Sequence, residues 1–217
     1  MFFINFEKIK KSGEKAILLD LDNTLYEYEQ CHQYALKACW RHFQKNNLIS
    51  FAQFKKNYKT ARQGIKKYTF GQAASHSRFL YFQRLFEKIY GKTDINLTVK
   101  FEKLYWDSFF KKMKLFDGVL DFLKKCRKNN IKICLITDLT AKIQFEKIHR
   151  LKIGKYLNFI VSSEEAGRDK PHQNIFKIAL EKLKMQPSDV VLIGDDYEKD
   201  LAGGEKMGIK TILINNS

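Results

Sequence analysis

The chain contains little proline and glycine, 2 and 11 residues among 217. Long linkers and low-complexity segments are richer in both, so the composition favours one globular unit or a core domain with an insertion. No apolar run reaches the roughly 18 residues that a transmembrane helix needs. The first residues, Met1 to Lys15, lack the continuous apolar stretch of a signal peptide. We therefore expect a cytoplasmic protein that does not cross a membrane.

Cysteine is scarce as well. The 4 cysteines form no Cys-x-x-Cys pair, and no histidine spacing completes a zinc site. Free cysteines of this kind are usually buried thiols, and disulfides are rare in the cytoplasm. A disulfide scaffold and a zinc module are therefore not expected.

Acidic residues are outnumbered by basic ones, 24 to 40, which gives a formal net charge of +16. Such a balance favours anionic partners such as nucleic acid or phosphorylated metabolites. The excess is concentrated in residues 26–112, which hold 17 basic and 6 acidic residues. However, only seven of the 40 basic residues are arginine, and the chain is also rich in Asn, Ile and Phe. A/T-rich coding alone would give that bias, so the charge does not decide between a functional and a neutral origin.

Short apolar runs alternate with helical patterns along most of the chain. This alternation predicts an α/β fold with a doubly wound, parallel, Rossmann-like sheet. The predicted strands are Lys15–Asp20, Ile131–Thr137, Phe159–Ser162, Val190–Asp195 and Thr211–Asn215. The predicted helices are Gly118–Asn129 with Asp117 as N-cap, Ala141–Leu151, His172–Leu183, and Glu198–Met207 ended by Gly208.

Residues 26–112 break this alternation. They show helical periodicity and no convincing strand, and they contain 20 aromatic residues, most of which we expect in a core of their own. We predict an inserted all-α cap domain at 26–112 and a catalytic core formed by residues 1–25 and 113–217.

Two carboxylates, Asp20 and Asp22, stand at the end of the first predicted strand, in the sequence Asp-Leu-Asp-Asn-Thr-Leu. In open α/β sheets, ligands bind at this carboxyl edge. Carboxylates that converge on one site repel each other unless a cation or a shared proton is present. Mg²⁺, which prefers oxygen ligands, meets that requirement.

Three later fragments fall at the ends of the other strands. Thr137 ends the second strand, a Lys-Pro pair at Lys170 follows the third, and a Gly-Asp-Asp sequence around Asp195 follows the fourth, with Asp200 further on. Together they supply a nucleophile, a hydroxyl donor, a cation and additional carboxylates, which phosphoryl transfer requires.

These four parts, in this order and spacing, resemble the signature of the haloacid-dehalogenase superfamily across Lys15–Asn215. The helical insertion resembles the C1-type cap of the subfamily that includes phosphoglycolate phosphatase and pyrimidine 5′-nucleotidases. The resemblance implies a hydrolase that uses Mg²⁺ and forms an aspartyl-phosphate.

The resemblance also implies roles for single residues. Asp20 would be the nucleophile, and Asp22 the general acid and base. Asp20, Asp195 and the backbone carbonyl of Asp22 would hold Mg²⁺. Asp200 and Asp196 would contact these ligands without binding the ion themselves; the alternative for Asp196 is a helix N-terminal charge.

Thr137 and the backbone N–H of Asp138 would bind phosphoryl oxygens, and Lys170 would neutralise Asp20 and the phosphate. Many relatives carry Asn at the position of Asp138. The change is harmless if the backbone makes the contact and harmful if the carboxylate faces the phosphate. In the predicted cap, Arg62, Lys66 and Tyr68 are the candidates for substrate contact, because they flank Gly64 in an expected break between helical segments.

The favoured function is hydrolysis of a small phosphorylated metabolite, either a sugar phosphate or a nucleoside monophosphate. The acid at Asp22 points to phosphorus chemistry, since the dehalogenases of the superfamily generally lack it. Two alternatives stay open. One is a phosphomutase, which uses the same residues. The other is a basic module that binds nucleic acid or another polyanion, which the absence of any recognised nucleic-acid motif disfavours. Substrate identity and oligomeric state cannot be predicted from the sequence.

Overall fold

The computed structural model describes residues 4, 6, 7, 9, 13–44 and 48–214. The chain divides into two compact units. The sheet unit comprises Met1–Glu27 and Lys114–Ser217, and the helical unit comprises Tyr28–Met113. The assignment of these units as catalytic core and cap stays a prediction.

The described residues form strands and helices with the following bounds. The strands are β1 (Ala16–Leu19), β2 (Lys132–Thr137), β3 (Phe159–Ser162), β4 (Val190–Gly194) and β5 (Lys210–Leu213). The α-helices are α1 (Tyr28–Phe43), α2 (Phe51–Thr69), α3 (Arg78–Tyr90), α4 (Ile95–Lys112), α5 (Val119–Lys128), α6 (Ala141–Leu151), α7 (Ser163–Ala166), α8 (Asn174–Leu183) and α9 (Ala202–Glu205). A π-helical turn covers Tyr197–Leu201, and short 3₁₀ turns cover Ala73–His76, Gly154–Tyr156 and Pro187–Asp189.

The five strands form one parallel sheet in the order β3-β2-β1-β4-β5. The strand order therefore reverses between β1 and β4, and ligands bind at such a switch point in α/β sheets. Both strands are fully buried, as expected for continuous apolar runs in a parallel sheet that is covered on both faces. The predicted α/β fold with a parallel Rossmann-like sheet is confirmed.

Helix α8 packs on this sheet and makes up much of the core. Its apolar stripe, which includes Ile175, Phe176 and Ala179, belongs to the same buried cluster as Leu18 of β1 and Leu192 of β4. Burying each large side chain of this kind stabilises the fold by roughly 1.5–3 kcal/mol. This packing fixes the strand ends, and the loops that leave them, relative to one another.

The helical unit is built around aromatic rings, as expected. Phe43, Phe82, Phe86 and Phe101 are buried, and the Phe86 and Phe101 centroids lie 4.9 Å apart with the rings edge to face. Across 28–44 and 48–113 the regular elements are all helical. No helix of the described part of the chain is both long and apolar enough to span a membrane.

Several predicted details were wrong. Helix α2 runs unbroken through Gly64, because the Ser50 side chain caps it and Phe54, Tyr58 and Ala61 bury one continuous face. Gly118, with φ 92°, is the N-cap of α5 in place of Asp117. The segment predicted as one helix from Glu198 to Met207 splits into the π turn and α9.

One further helix boundary differs by more than a residue, and two predictions fall wholly or partly on residues outside the described ones. Helix α8 begins at Asn174, two residues after the predicted start at His172. The predicted end of the last strand, Asn215, lies outside the described residues. The signal-peptide question concerns Met1 to Lys15, many of which also lie outside them.

Candidate active site

Asp20 lies where β1 meets its loop, with its N–H still bonded to the Ile193 carbonyl of β4 at 3.0 Å. The residue is 4% exposed, so its carboxylate is nearly removed from water. The fully buried Thr24 Oγ1 lies 2.7 Å from Asp20 Oδ2 and 3.1 Å from Asp195 Oδ1. Asn23, at φ 65°, turns the chain so that Thr24 faces back to the strand it follows.

Lys170 joins two carboxylates from distant parts of the chain, Asp20 after β1 and Asp200 in the π turn. Its ammonium lies 2.5 Å from Asp20 Oδ1 and 2.6 Å from Asp200 Oδ1, and all three side chains are at most 5% exposed. The Lys170 backbone N–H donates to Asp138 Oδ1 at 2.9 Å. The Asp138 carboxylate thus holds the loop that carries Lys170, and this contact uses the residue at which the sequence departs from the usual Asn.

Asp195 completes an acidic cluster. One carboxylate oxygen from each of Asp20, Asp195 and Asp200 lies within 4.8 Å of the others. Burial and the charges of Asp200 and Asp195 raise the pKa of Asp20 well above its ordinary value, an effect that Lys170 only partly offsets. Burial, followed by the charge of Asp200, raises the pKa of Asp195 to about 6. The neighbouring carboxylates therefore favour a cation or a proton among them.

Lys170 remains charged in this cluster. Burial alone would lower the pKa of its ammonium, but the carboxylates of Asp20 and Asp200 raise it well above the ordinary value. Lys170 contacts two of the three carboxylates of the cluster, Asp20 and Asp200, so one ammonium stands against three acidic groups.

The close approach of Asp200 depends on Gly194, the last residue of β4. A Cβ atom at this position would lie 2.6 Å from Asp200 Oδ2, closer than real side chains come. The Asp196 N–H donates to the same Oδ2 at 3.1 Å, while the Asp196 side chain accepts from the Lys199 N–H at 3.1 Å as an N-cap. The backbone of Asp196 therefore supports the cluster, and its carboxylate lies at the start of the π turn.

Asp22 makes its contacts with a different set of groups. Lys147 Nζ lies 2.8 Å from Asp22 Oδ1 and 2.7 Å from Oδ2, and the Tyr26 hydroxyl donates to Oδ1 at 2.5 Å. Lys147 and Tyr26 are fully buried. Neither was predicted as a site residue.

Thr137 lies at the end of β2 and is 1% exposed. The fully buried Gln144 Nε2 lies 2.6 Å from Thr137 Oγ1, and it also donates to the Asp138 carbonyl. Gln144 thereby links α6 to the loop in which the phosphate-binding residues were predicted.

The three candidates in the helical unit differ in position. Arg62 lines a cavity of about 490 Å³, whereas Lys66 and Tyr68 are not among its described lining residues. Tyr68 is 76% exposed. The cavity walls combine apolar surface with basic groups, including His32, Leu36, Lys55, Tyr58, Lys59 and Arg62.

Residues 17–214 match the family described as haloacid dehalogenase-like hydrolase. The chain belongs to this family. A ribulose-1,5-bisphosphate 5-phosphatase of Halopiger xanaduensis is 34% identical over 93% of this chain and 85% of its own. A glyceraldehyde 3-phosphate phosphatase of Methanopyrus kandleri is 28% identical over 92% of this chain and 83% of its own.

The fold is shared with a solved structure. The HAD-hydrolase YfnB of Bacillus subtilis, bound to magnesium, superposes with a TM-score of 0.70 at 21% identity, over 93% of this chain and 89% of that one. The predictions of a haloacid-dehalogenase superfamily member and of a phosphatase-type enzyme are confirmed.

The acidic cluster of this haloacid dehalogenase-like hydrolase suits Mg²⁺. Asp20, Asp195 and Asp200 offer only oxygen donors, and their negative charge, which Lys170 only partly compensates, calls for a compact dication. We expected Asp200 to contact the metal ligands without binding the ion itself. One of its carboxylate oxygens lies within 4.8 Å of oxygens of both Asp20 and Asp195.

The sequence contained a signal for the residues that were missed. In α6 the buried residues are Ile143, Gln144, Lys147, Ile148 and Leu151, so two polar side chains share an apolar face. Long polar groups seldom lie fully buried on such a face unless they have partners. Identifying those partners required the fold, because Asp22 precedes Lys147 by 125 residues.

Proposed function

We propose that this chain is a Mg²⁺-dependent phosphomonoesterase that hydrolyses a small phosphorylated sugar through an aspartyl-phosphate on Asp20. The observation that carries the proposal is the contact of the buried Asp20 carboxylate with Lys170 at 2.5 Å, inside a cluster that also contains Asp195 and Asp200. A carboxylate nucleophile beside a fixed ammonium and an oxygen-only cation site is what attack on a phosphate dianion requires.

Asp20, Asp195 and the Asp22 carbonyl would hold Mg²⁺, with Asp200 close enough to contribute. When bound, the ion supplies neutralisation of phosphate charge during transfer. The family generally uses Mg²⁺, and YfnB was solved with it.

The residues divide the chemistry between two steps. In the first, an Asp20 oxygen bonds to phosphorus as the ester P–O bond breaks, and Asp22 gives its proton to the leaving oxygen. In the second, water attacks the phosphorus, Asp22 takes the water proton, and the bond from phosphorus to Asp20 breaks to release phosphate. Lys170, Thr137 and the Asp138 N–H would bind the charged oxygens throughout.

The similarity to known phosphatases favours a sugar phosphate over a nucleotide. Both curated relatives named above are phosphatases of short phosphorylated sugars, and one of them shares a third of its residues with this chain. The cavity in the helical unit is lined by Lys55, Lys59 and Arg62 together with the acidic Glu29, and the excess of basic groups suits an anionic molecule.

The test is phosphate release from a panel of phosphate monoesters with Mg²⁺, followed by acid quench during turnover. We expect triose and pentose phosphates to rank above nucleoside monophosphates. We also expect protein-bound phosphate that hydroxylamine removes and that the Asp20→Asn variant does not form. Isomerised phosphate esters without free phosphate would indicate a phosphomutase. Inactivity on all esters together with salt-sensitive nucleic-acid binding would indicate a polyanion-binding protein.

A further inference from the structure

Lys147 is fully buried, yet its ammonium reaches the partly exposed carboxylate of Asp22. The side chain of Lys147 is 0% exposed and that of Asp22 is 26% exposed. Both Asp22 oxygens lie within 2.8 Å of Nζ, and Tyr26 donates to one of them. The carboxylate is therefore held from two sides, by groups of α6 and of the loop after β1.

A buried ion pair of this kind contributes little to the stability of a fold. Taking a lysine out of water costs several kcal/mol, and apolar replacements of buried pairs are often neutral or stabilising. Ile143, Ile148 and Leu151 on the same face of α6 show that an apolar residue suits this helix. An ammonium at this position consequently requires a reason other than packing.

We propose that Lys147 is a positioning residue that orients the Asp22 carboxylate for proton transfer. This inference rests on the proposed function, in which Asp22 serves as acid and then as base. Lys147 acts through Asp22 and does not itself give or take a proton. Asp22 loses its proton to the leaving oxygen and regains one from water, while Lys147 keeps its three protons throughout.

The geometry explains why orientation matters here. Asp22 follows β1 by three residues, in a turn whose neighbour Asn23 adopts φ 65°. An aspartate in such a turn can rotate about its side-chain bonds, and a misplacement of about 1 Å lowers a rate by on the order of 100-fold. Contacts with both carboxylate oxygens fix the plane of the group, which a single hydrogen bond would not do.

Gln144 supports the same interpretation. It lies on the same face as Lys147, close to one turn earlier in α6, and holds Thr137 Oγ1 at 2.6 Å. Helix α6 thus sends one polar side chain to the predicted phosphate-binding residue and another to the predicted acid.

The experiment compares Lys147→Met with Lys142→Met. Methionine keeps the length of the side chain and removes the ammonium. Lys142 lies on the same helix with its side chain 83% exposed and serves as the matched control. The substrates are an alkyl phosphate, which needs a proton for its leaving oxygen, and 2,4-dinitrophenyl phosphate, which does not.

For Lys147→Met we expect kcat on the alkyl phosphate to fall about 10- to 100-fold, part of the effect of general acid–base catalysis. The pre-steady-state burst of dinitrophenolate should keep its rate, because bond cleavage there needs no acid, while the later steady state slows. Lys142→Met should match the wild type in both assays. In the Asp22→Asn background, adding Lys147→Met should cause no further loss, because both changes remove one function.

Tyr26→Phe provides a second variant that removes one hydroxyl and keeps the ring. It should also lower kcat on the alkyl phosphate without slowing the dinitrophenolate burst, by a smaller factor than Lys147→Met. A dinitrophenolate burst that slows as much as kcat on the alkyl phosphate, or losses that add to those of Asp22→Asn, would assign Lys147 to general stability and overturn the proposal. A wild type inactive on every ester would overturn the proposed function together with this role, whereas active Lys147→Met with wild-type kinetics would overturn only the role.

Discussion

The Lys170 ammonium lies 2.5 Å from Asp20 Oδ1, with both side chains at most 5% exposed. Lys170 also contacts Asp200 at 2.6 Å, so one cation is shared by two buried acids. Charged groups in such surroundings interact more strongly than in water. The sharing keeps Asp20 fixed and leaves negative charge on the cluster, a combination that suits an incoming cation followed by a phosphate.

Replacing Asp20 with Asn should abolish phosphatase turnover, by several orders of magnitude, because the amide cannot form the aspartyl-phosphate. The melting temperature of the metal-free protein should not fall, since burial and Asp200 already disfavour a charge at this position. Steady-state phosphate release measures the loss of turnover, and thermal melts measure the melting temperature. Asp189→Asn is the control: Asp189 pairs with Lys15 just before β4, so it lies at the other edge of the sheet.

The metal-free protein should lose stability as the pH rises from about 4 to 6. The pKa of Asp195 is about 6 in the folded protein, against 3.8 for an ordinary aspartate. In this window the unfolded chain has released the proton and the folded protein still binds it, so the free energy of unfolding falls with increasing pH. The raised pKa of Asp20 acts in the same direction. Urea unfolding at several pH values in EDTA measures the slope, which Asp195→Asn should flatten.

Mg²⁺ should offset the loss of stability that the acidic cluster causes as the pH rises. The effect should be largest above pH 6, where protons no longer compete with the ion for the carboxylates. At 100 times its dissociation constant a ligand stabilises the native state by about 2.7 kcal/mol. Melting curves with and without Mg²⁺ test this, and Asp195→Asn should respond far less than wild type. In activity assays EDTA should abolish turnover, and Ca²⁺ should inhibit, because its larger shell misplaces the attacking oxygen. Full activity in metal-free buffer would contradict the cation site.

Gly194→Ala should lower both stability and activity. The added methyl group would lie 2.6 Å from Asp200 Oδ2, and relieving the overlap must move either the end of β4 or the acid that contacts Lys170. Overpacking of this kind costs about 1–3 kcal/mol. Gly154→Ala is the matched control, since its methyl group would meet Ile148 at an ordinary 3.7 Å. Equal melting temperatures and rates for the two variants would show that Asp200 tolerates displacement.

The strands that carry the site were predictable because each is a short apolar run that ends in a polar residue. Asp20, Thr137 and Asp195 each lie at a strand end or directly after it, and parallel strands present those ends at one edge. Sequence periodicity located helix α6 to the residue, since Ile143, Ile148 and Leu151 alternate with exposed positions. For these strands and this helix, the local sequence pattern was sufficient to predict the structure.

Predictions from the local sequence pattern failed where contacts between distant parts of the chain determine the structure. Gly64 suggested a break, but glycine costs a helix interior only about 1 kcal/mol, and the packing of Phe54 and Tyr58 outweighs that cost. The pairing of Lys147 with Asp22 depends on how β1 and α6 are brought together, which no local window contains. Asp138 was ambiguous for the same reason, since its partner is the backbone of Lys170.

Among the three substrate candidates in the helical unit, only Arg62 is expected to change the ranking of substrates. Arg62 lines the cavity together with Lys55 and Lys59, whereas Tyr68 is 76% exposed and does not. On the prediction that residues 26–112 form the cap, Arg62→Ala should lower kcat/KM for the preferred sugar phosphate more than for p-nitrophenyl phosphate, because a cap residue binds the part of the substrate that does not react. Tyr68→Ala should leave the ranking unchanged and serves as the control. If Arg62→Ala reduced activity equally on all esters at unchanged melting temperature, the cavity would have no part in selecting the substrate.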